Sequence, residues 1–232
     1  MQLAQILFSQ GFGTRRECAS LIRHGAVEVE GAVVEDPWAE YDPAGFTFHF
    51  KGEPWSYHEK ALIVLNKPAG YECSQKPRNH PSIMTLLPPP LRTRGIQPVG
   101  RLDQDTTGLL LLTDDGALIH RLTHPKRHMT KVYEATTADE VTPASIAKLL
   151  TGVVLDDDPA PVHAVACEAT GSHSLRMTLT EGRYHQVKRM IAAVGNRVEL
   201  LHRSAFGALT LPADLKPGEW AWIDRPSAVT GD

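Results

Sequence analysis

Arg101 and Asp103 stand two residues apart, a few positions before the apolar run Leu109–Leu112. Extended backbone has a side-chain period of two, so an extended stretch there puts the guanidinium and the carboxylate on one face. A carboxylate at a strand mouth with a cation beside it is suited to stay ionised and act as a nucleophile or an electrostatic anchor. Two further segments carry matching chemistry. In Lys131-Val132-Tyr133, strand alternation puts Lys131 and Tyr133 on one face, and Glu181–Met190 reads as a loop entering a helix with Arg183, His185, Lys188 and Arg189.

Each segment also has a plainer reading. Asp and Gly are ordinary turn residues, so Asp103 and its neighbours suit a surface turn. Tyr133 alone suits a half-buried strand, and Lys188 alone a solvated helix face. The extra threonine in Asp105-Thr106-Thr107-Gly108 breaks the Asp-Thr-Gly spacing of aspartic proteases. Asp114-Asp115-Gly116 reads as a turn after a strand, which argues against a metal held with Asp103 and Asp105. Pro125 between His124 and His128 favours a loop over a helical pair of metal ligands. No metal site is expected.

The chain has 232 residues, 42% hydrophobic and 22% charged, enough for a large domain plus a small one. Its longest apolar runs are too short to cross a bilayer, and Met1-Gln2-Leu3-Ala4 lacks the basic start of a signal peptide. Three scattered cysteines, Cys18, Cys73 and Cys167, exclude a full disulfide framework and point to a reducing cytoplasm. The net charge of −3 argues against a nucleic-acid partner until its distribution is examined. Bases gather in residues 67–101, 120–133 and 183–203, and acids in residues 28–42 and at Asp156-Asp157-Asp158. That segregation predicts a basic groove able to follow a phosphate backbone.

The positioning elements follow from periodicity. Leu3, Ile6 and Leu7 have helical spacing, Thr14 and Glu17 form a capping box, and the next helix buries Cys18, Leu21 and Ile22 before stopping at Gly25. Val27–Gly31 alternates like a strand. Residues 53–60 read as a polar linker, Ala61–Leu65 as an apolar strand, and Asn66–Gly70 as a turn. Pro88-Pro89-Pro90 predicts a loop without regular structure. Leu175, Met177 and Leu179 alternate as a strand, and Val187, Met190, Ile191 and Val194 share a helical face closed by Gly195. Strands interrupted by single helices give an α+β fold. A small N-terminal α/β module (1–52) precedes a linker (53–60), then a mixed, largely antiparallel β-sheet domain with flanking helices (61–232).

The run Gly-Thr-Arg-Arg-Glu-Cys from Gly13, with Leu21-Ile22-Arg23-His24-Gly25-Ala26-Val27-Glu28-Val29-Glu30-Gly31, resembles the RNA-binding module named after the fourth small-subunit ribosomal protein. Arg15 and Arg16 are its candidate RNA contacts. Asn66–Gly70, Gly100–Asp103, Lys131–Tyr133 and Gly182–Met190, in that order, resemble the pseudouridine synthases that modify ribosomal RNA. The resemblance implies that Asp103 is the catalytic aspartate, by attack on the sugar or by assisting a glycal route. It implies that Tyr133 contacts the base and removes a proton from ring carbon 5, and that Lys188 pairs with Asp103. Arg101 would support the RNA once the base has left, and Arg183, Arg189 and Lys131 would contact phosphate. It implies no cofactor, a ribosomal RNA or assembling-subunit partner, no membrane, a monomer and a cytoplasmic location. Glu181–Met190 with Leu201-His202-Arg203 is most similar to the branch acting on small-subunit (16S) RNA. A large-subunit (23S) synthase, a non-catalytic ribosome-assembly protein and a metal-dependent nuclease are the alternatives.

Overall fold

The computed structural model describes residues 1–156 and 158–231, so Asp157 of the expected acidic run lies outside the described residues. The chain divides into two compact units, Met1–Ala61 with Leu87–Gln97, and Leu62–Leu86 with Pro98–Asp232.

The first unit carries helices Leu3–Ser9 and Arg15–Arg23 and a four-stranded sheet. Thr14 caps the second helix through the expected box: its side chain accepts from the Glu17 N–H, and the Glu17 carboxylate accepts from the Thr14 N–H at 2.7 Å. Leu3, Ile6, Leu7, Cys18, Ile22 and Val27 are buried, whereas Leu21 is only half-buried. Two expectations fail in this unit. Residues 53–60 are not a linker throughout, because Glu53–Ser56 is a strand paired antiparallel with Thr47–Phe50. Its single inward residue, Trp55, packs against Phe12. Pro88-Pro89-Pro90 does not exclude regular structure either, since a helix runs from Pro89 to Thr93 with Pro88 as its N-cap. Proline lacks only an N–H that the first helical turn would leave unsatisfied. Arg94 in this segment is structural, donating to Gln10 Oε1 at 2.8 Å and to the carbonyls of His58 and Glu59.

The second unit is built on a mixed sheet. Its main path runs Ala166–Gly171, Ser174–Leu179, Lys131–Thr137, Val198–Phe206, Thr107–Thr113, Leu62–Lys67, Trp220–Trp222. Every pairing on that path is antiparallel except the one between Val198–Phe206 and Thr107–Thr113. The expected strand at 61–65 begins one residue later and continues through Lys67, all six residues buried. Leu109–Leu112 are fully buried, so the central strands are covered on both faces and read as continuous apolar runs rather than alternating ones. Leu62, Val64, Leu109 and Leu111 pack with Leu118, Leu122, Phe206, Ile223 and Val229 in one core. Asp115 caps the helix Gly116–Thr123 by accepting from the Ala117 and Leu118 N–H groups, which accounts for the Asp-Asp-Gly turn without a metal.

Candidate active site

Residues 101–103 are irregular, not strand, and the chain turns at Asp103, whose carbonyl accepts from the Thr106 N–H at 3.2 Å. Buried groups fasten that turn. Lys67 is fully buried, and its Nζ donates to the carbonyls of Pro68 at 3.1 Å, Gln104 at 3.1 Å and Thr106 at 2.8 Å. Burial lowers the Lys67 pKa, and the three carbonyls satisfy its three donors. The Leu102 N–H points at Cys73 Sγ, 3.4 Å away, and burial raises the pKa of that thiol. Asp103 is thus held by its backbone before any side-chain partner acts.

The partners come from the helix Gln186–Ala193, whose apolar residues Val187, Met190 and Ile191 are buried as the spacing predicts. Its N-cap, His185, has a left-handed backbone at φ 49°, sparsely populated for a residue with a Cβ. That turn brings His185 Nε2 to 3.3 Å from Asp103 Oδ1, while Lys188 Nζ lies 3.2 Å from Asp103 Oδ2. Each carboxylate oxygen therefore has its own nitrogen. The predicted Lys188–Asp103 pair is present, but the shorter contact of Lys188 is to Asp105, at 2.7 Å and 2.9 Å. Burial works against the lysine's charge, and the Asp105 hydrogen bond with the two carboxylates outweighs it, so its pKa rises. For Asp105, desolvation is outweighed by the bond to Lys188, and its pKa falls.

Arg101, Asp103, Tyr133, Arg183, His185 and Lys188 line one hollow of about 90 Å³, the space of about three liquid waters. Tyr133 is 9% exposed. Lys131 and Tyr133 share a face as alternation predicts, both lining a second cavity of about 340 Å³. Arg183 Nε pairs with Glu181 at 3.0 Å, and Arg189 donates to the Tyr184 carbonyl at 3.1 Å. Tyr184 is 71% exposed, and its ring stacks on His185 with centroids 3.8 Å apart. Arg15 and Arg16 are exposed on the first unit's second helix, Arg15 resting 5.2 Å from the Phe8 ring centroid. The basic stretches are less uniformly surface than their charge suggests, because Lys67 and Arg203 are buried and Arg197 pairs with Glu199 at 2.6 Å.

The site lies in the part of the chain, residues 61–193, that matches the RNA pseudouridylate synthase family, and this protein belongs to that family. Residues 1–38 match the S4 domain. The chain is 39% identical to the ribosomal small subunit pseudouridine synthase A of Escherichia coli K12, over 91% of this chain and 92% of that one. It is 36% identical to an uncharacterized RNA pseudouridine synthase of Bacillus subtilis, covering 95% and 93% of the two chains. The crystal structure of a pseudouridylate synthase superposes with a TM-score of 0.69 at 34% identity, covering 98% of each chain.

Three residues of the site were given no role by the reading from sequence: Lys67, Asp105 and Arg203. Arg203 carried a signal, since a period of two puts it on the inward face with Leu201 and Ala205. Asp105 follows Asp103 by the same step. Lys67 lies within the Asn66–Gly70 motif, but a lysine before a proline reads as an exposed turn, so its burial had no signal.

Proposed function

We propose that this protein isomerises a uridine of small-subunit (16S) ribosomal RNA to pseudouridine, with Asp103 as the catalytic carboxylate. Tyr133 meets the base, Lys188 positions Asp103, and Arg101 supports the RNA. One observation carries the reading: both oxygens of Asp103 are engaged, by His185 and Lys188, at the wall of a hollow that Tyr133 and Arg101 also line. The small-subunit substrate is supported by the names of the relatives at 39% identity. The same reading has the protein act as a monomer in the cytoplasm, on ribosomal RNA or an assembling subunit.

The chemistry suits these residues. The bond from the sugar C1′ to uracil N1 breaks, the base turns, and C1′ bonds to C5. N1 gains one proton and C5 loses one, so the atoms balance with no outside donor. A detached base has to be kept from water and from leaving, and a hollow of about 90 Å³ admits a single ring at most. The nucleotide therefore enters flipped out of its stack, at a cost of a few kcal/mol unless it is already unpaired. Two nitrogens on Asp103 fix the direction in which it faces the sugar, by charge-assisted hydrogen bonding stronger than a neutral contact.

The test is tritium release from RNA carrying 5-tritiated uridine. Asp103→Asn, nearly isosteric and uncharged, is expected to bind RNA within about threefold of wild type and to release no tritium. Normal release by that variant removes Asp103 from the mechanism. Chemical mapping of pseudouridine in 16S and 23S RNA, from cells with and without the gene, assigns the subunit. A site lost only from 23S RNA overturns the small-subunit reading, and no lost site favours the non-catalytic alternative.

A further inference from the structure

The 340 Å³ cavity beside the Asp103 hollow holds a charge arrangement that the reaction above leaves unused. Arg203 is 2% exposed and lines this cavity. Its Nε donates to the Leu109 carbonyl at 2.8 Å, but its Nη2 is buried without a hydrogen-bond partner among the described residues. Lys131 lies next to it, donating to the Met129 carbonyl at 2.8 Å. Both cations lean on Phe206, 5.4 Å and 5.5 Å from its ring centroid. The cavity's only carboxylate among the described residues is Glu181, which pairs with Arg183 at 3.0 Å. Arg101 adds a further positive charge to the wall.

An arginine does not shed its proton, and a buried donor without an acceptor is among the costliest arrangements in a fold. Lys131 registers the strain: burial first, then the charge of Arg203, pull its pKa down to about 8. A buried arginine with an unfilled donor, beside a half-buried lysine, makes a site for an anion with several acceptor oxygens. The cavity shares Arg101, Tyr133, Glu181, Gly182 and Arg183 with the Asp103 hollow, so its occupant adjoins whatever reaches Asp103. An uncharged base in the larger cavity would leave both cations uncompensated.

We propose that Arg203 and Lys131 form a subsite for one phosphodiester group of the RNA strand, next to the nucleotide that enters at Asp103. The identity of the strand rests on the pseudouridine-synthase reading.

The test uses the full-length protein and short RNAs containing the target uridine. Lys131→Met is expected to lower the slope of log Kd against log salt by about 0.7–0.9, the loss of one phosphate contact. Its KM is expected to rise about tenfold, with kcat changed much less. Neutral methylphosphonate linkages, introduced one at a time around the uridine, are expected to raise the wild-type KM about tenfold at one linkage. At that linkage Lys131→Met shows no further loss. Arg203→Lys repeats the pattern if it folds, and Lys131→Met decides the matter if it does not. An unchanged salt slope, or equal sensitivity of wild type and variant at every linkage, overturns the proposal. Inorganic phosphate protecting wild type but not Lys131→Met from thermal unfolding, with an unchanged RNA slope, assigns the site to a free anion and also overturns it. The binding slope needs no turnover, so a protein that binds RNA without releasing tritium defeats the synthase reading and leaves this one standing.

Discussion

Lys188 lies 2.7 Å from Asp105 and 3.2 Å from Asp103, so one amine serves two carboxylates. Asp105 is the more exposed of the two, with 55% of its side chain accessible against 30% for Asp103. That makes Asp105 an anchor for the lysine and leaves Asp103 facing the hollow. Asp105→Asn is expected to lower kcat about tenfold, through misplacement of Lys188, against complete loss for Asp103→Asn; single-turnover tritium release distinguishes them. Lys131 supplies a pH dependence. Its folded pKa of about 8 lies below the ordinary 10.5, so between those values the unfolded chain binds more protons than the folded one. Stability from this group therefore rises as pH rises through that window. RNA binding runs the other way, because the free protein loses the Lys131 charge above about pH 8. Arg203, Arg101, Arg183 and Glu181 are the charged side chains that line the cavity with it. Kd for RNA is expected to rise between pH 7.5 and 9 in wild type and to stay flat in Lys131→Met, measured at constant ionic strength.

Gly108 decides how two strands meet. It pairs in parallel with Arg203, has φ +102°, and a Cβ built on it would lie 2.3 Å from the Arg203 carbonyl oxygen and 2.8 Å from the Arg203 nitrogen. Both neighbours are backbone and cannot give way. Gly108→Ala is expected to cost more than about 3 kcal/mol, read from the urea midpoint, because it combines a disfavoured φ with a backbone clash. The glycine is visible in the sequence just ahead of the apolar run Leu109–Leu112, but its strand partner lies 95 positions away. Elements set by local signals were legible: the capping box at Thr14, the alternation of Leu175, Met177 and Leu179, and the apolar face of the Lys188 helix. Elements set by partners were not. Glu53–Ser56 looks like a linker because only Trp55 turns inward, and strand pairing supplies the rest. Pro89–Thr93 looks like a loop because its prolines signal a break, although the first helical turn accepts them.

The chain has two compact units. The Asp103 hollow and its walls belong to the second unit, while Arg15 and Arg16 sit on the first, in the part matching the S4 domain. Replacing Arg15 and Arg16 together by Ala is expected to weaken RNA binding about equally for all sequences and to reduce the salt slope by about one to two. A larger loss for the target sequence than for others, measured by competition, would assign them base readout instead. The order of the motifs along the chain was enough to determine the family, and it singled out the aspartate and the lysine proposed here to act together, because those residues carry their chemistry wherever the backbone takes them. Their local periodicities also determined most helices and strands. Tertiary structure alone decided that Lys188 is shared with Asp105, that Lys67 ties down the turn at Asp103, and that Arg203 is buried beside Lys131 with Glu181 the one carboxylate lining their cavity among the described residues. The physical reason is range: a lysine or arginine reads as solvated from its neighbours in sequence, and only the strands and turns packed around it determine whether water, a carbonyl or another cation surrounds its charge.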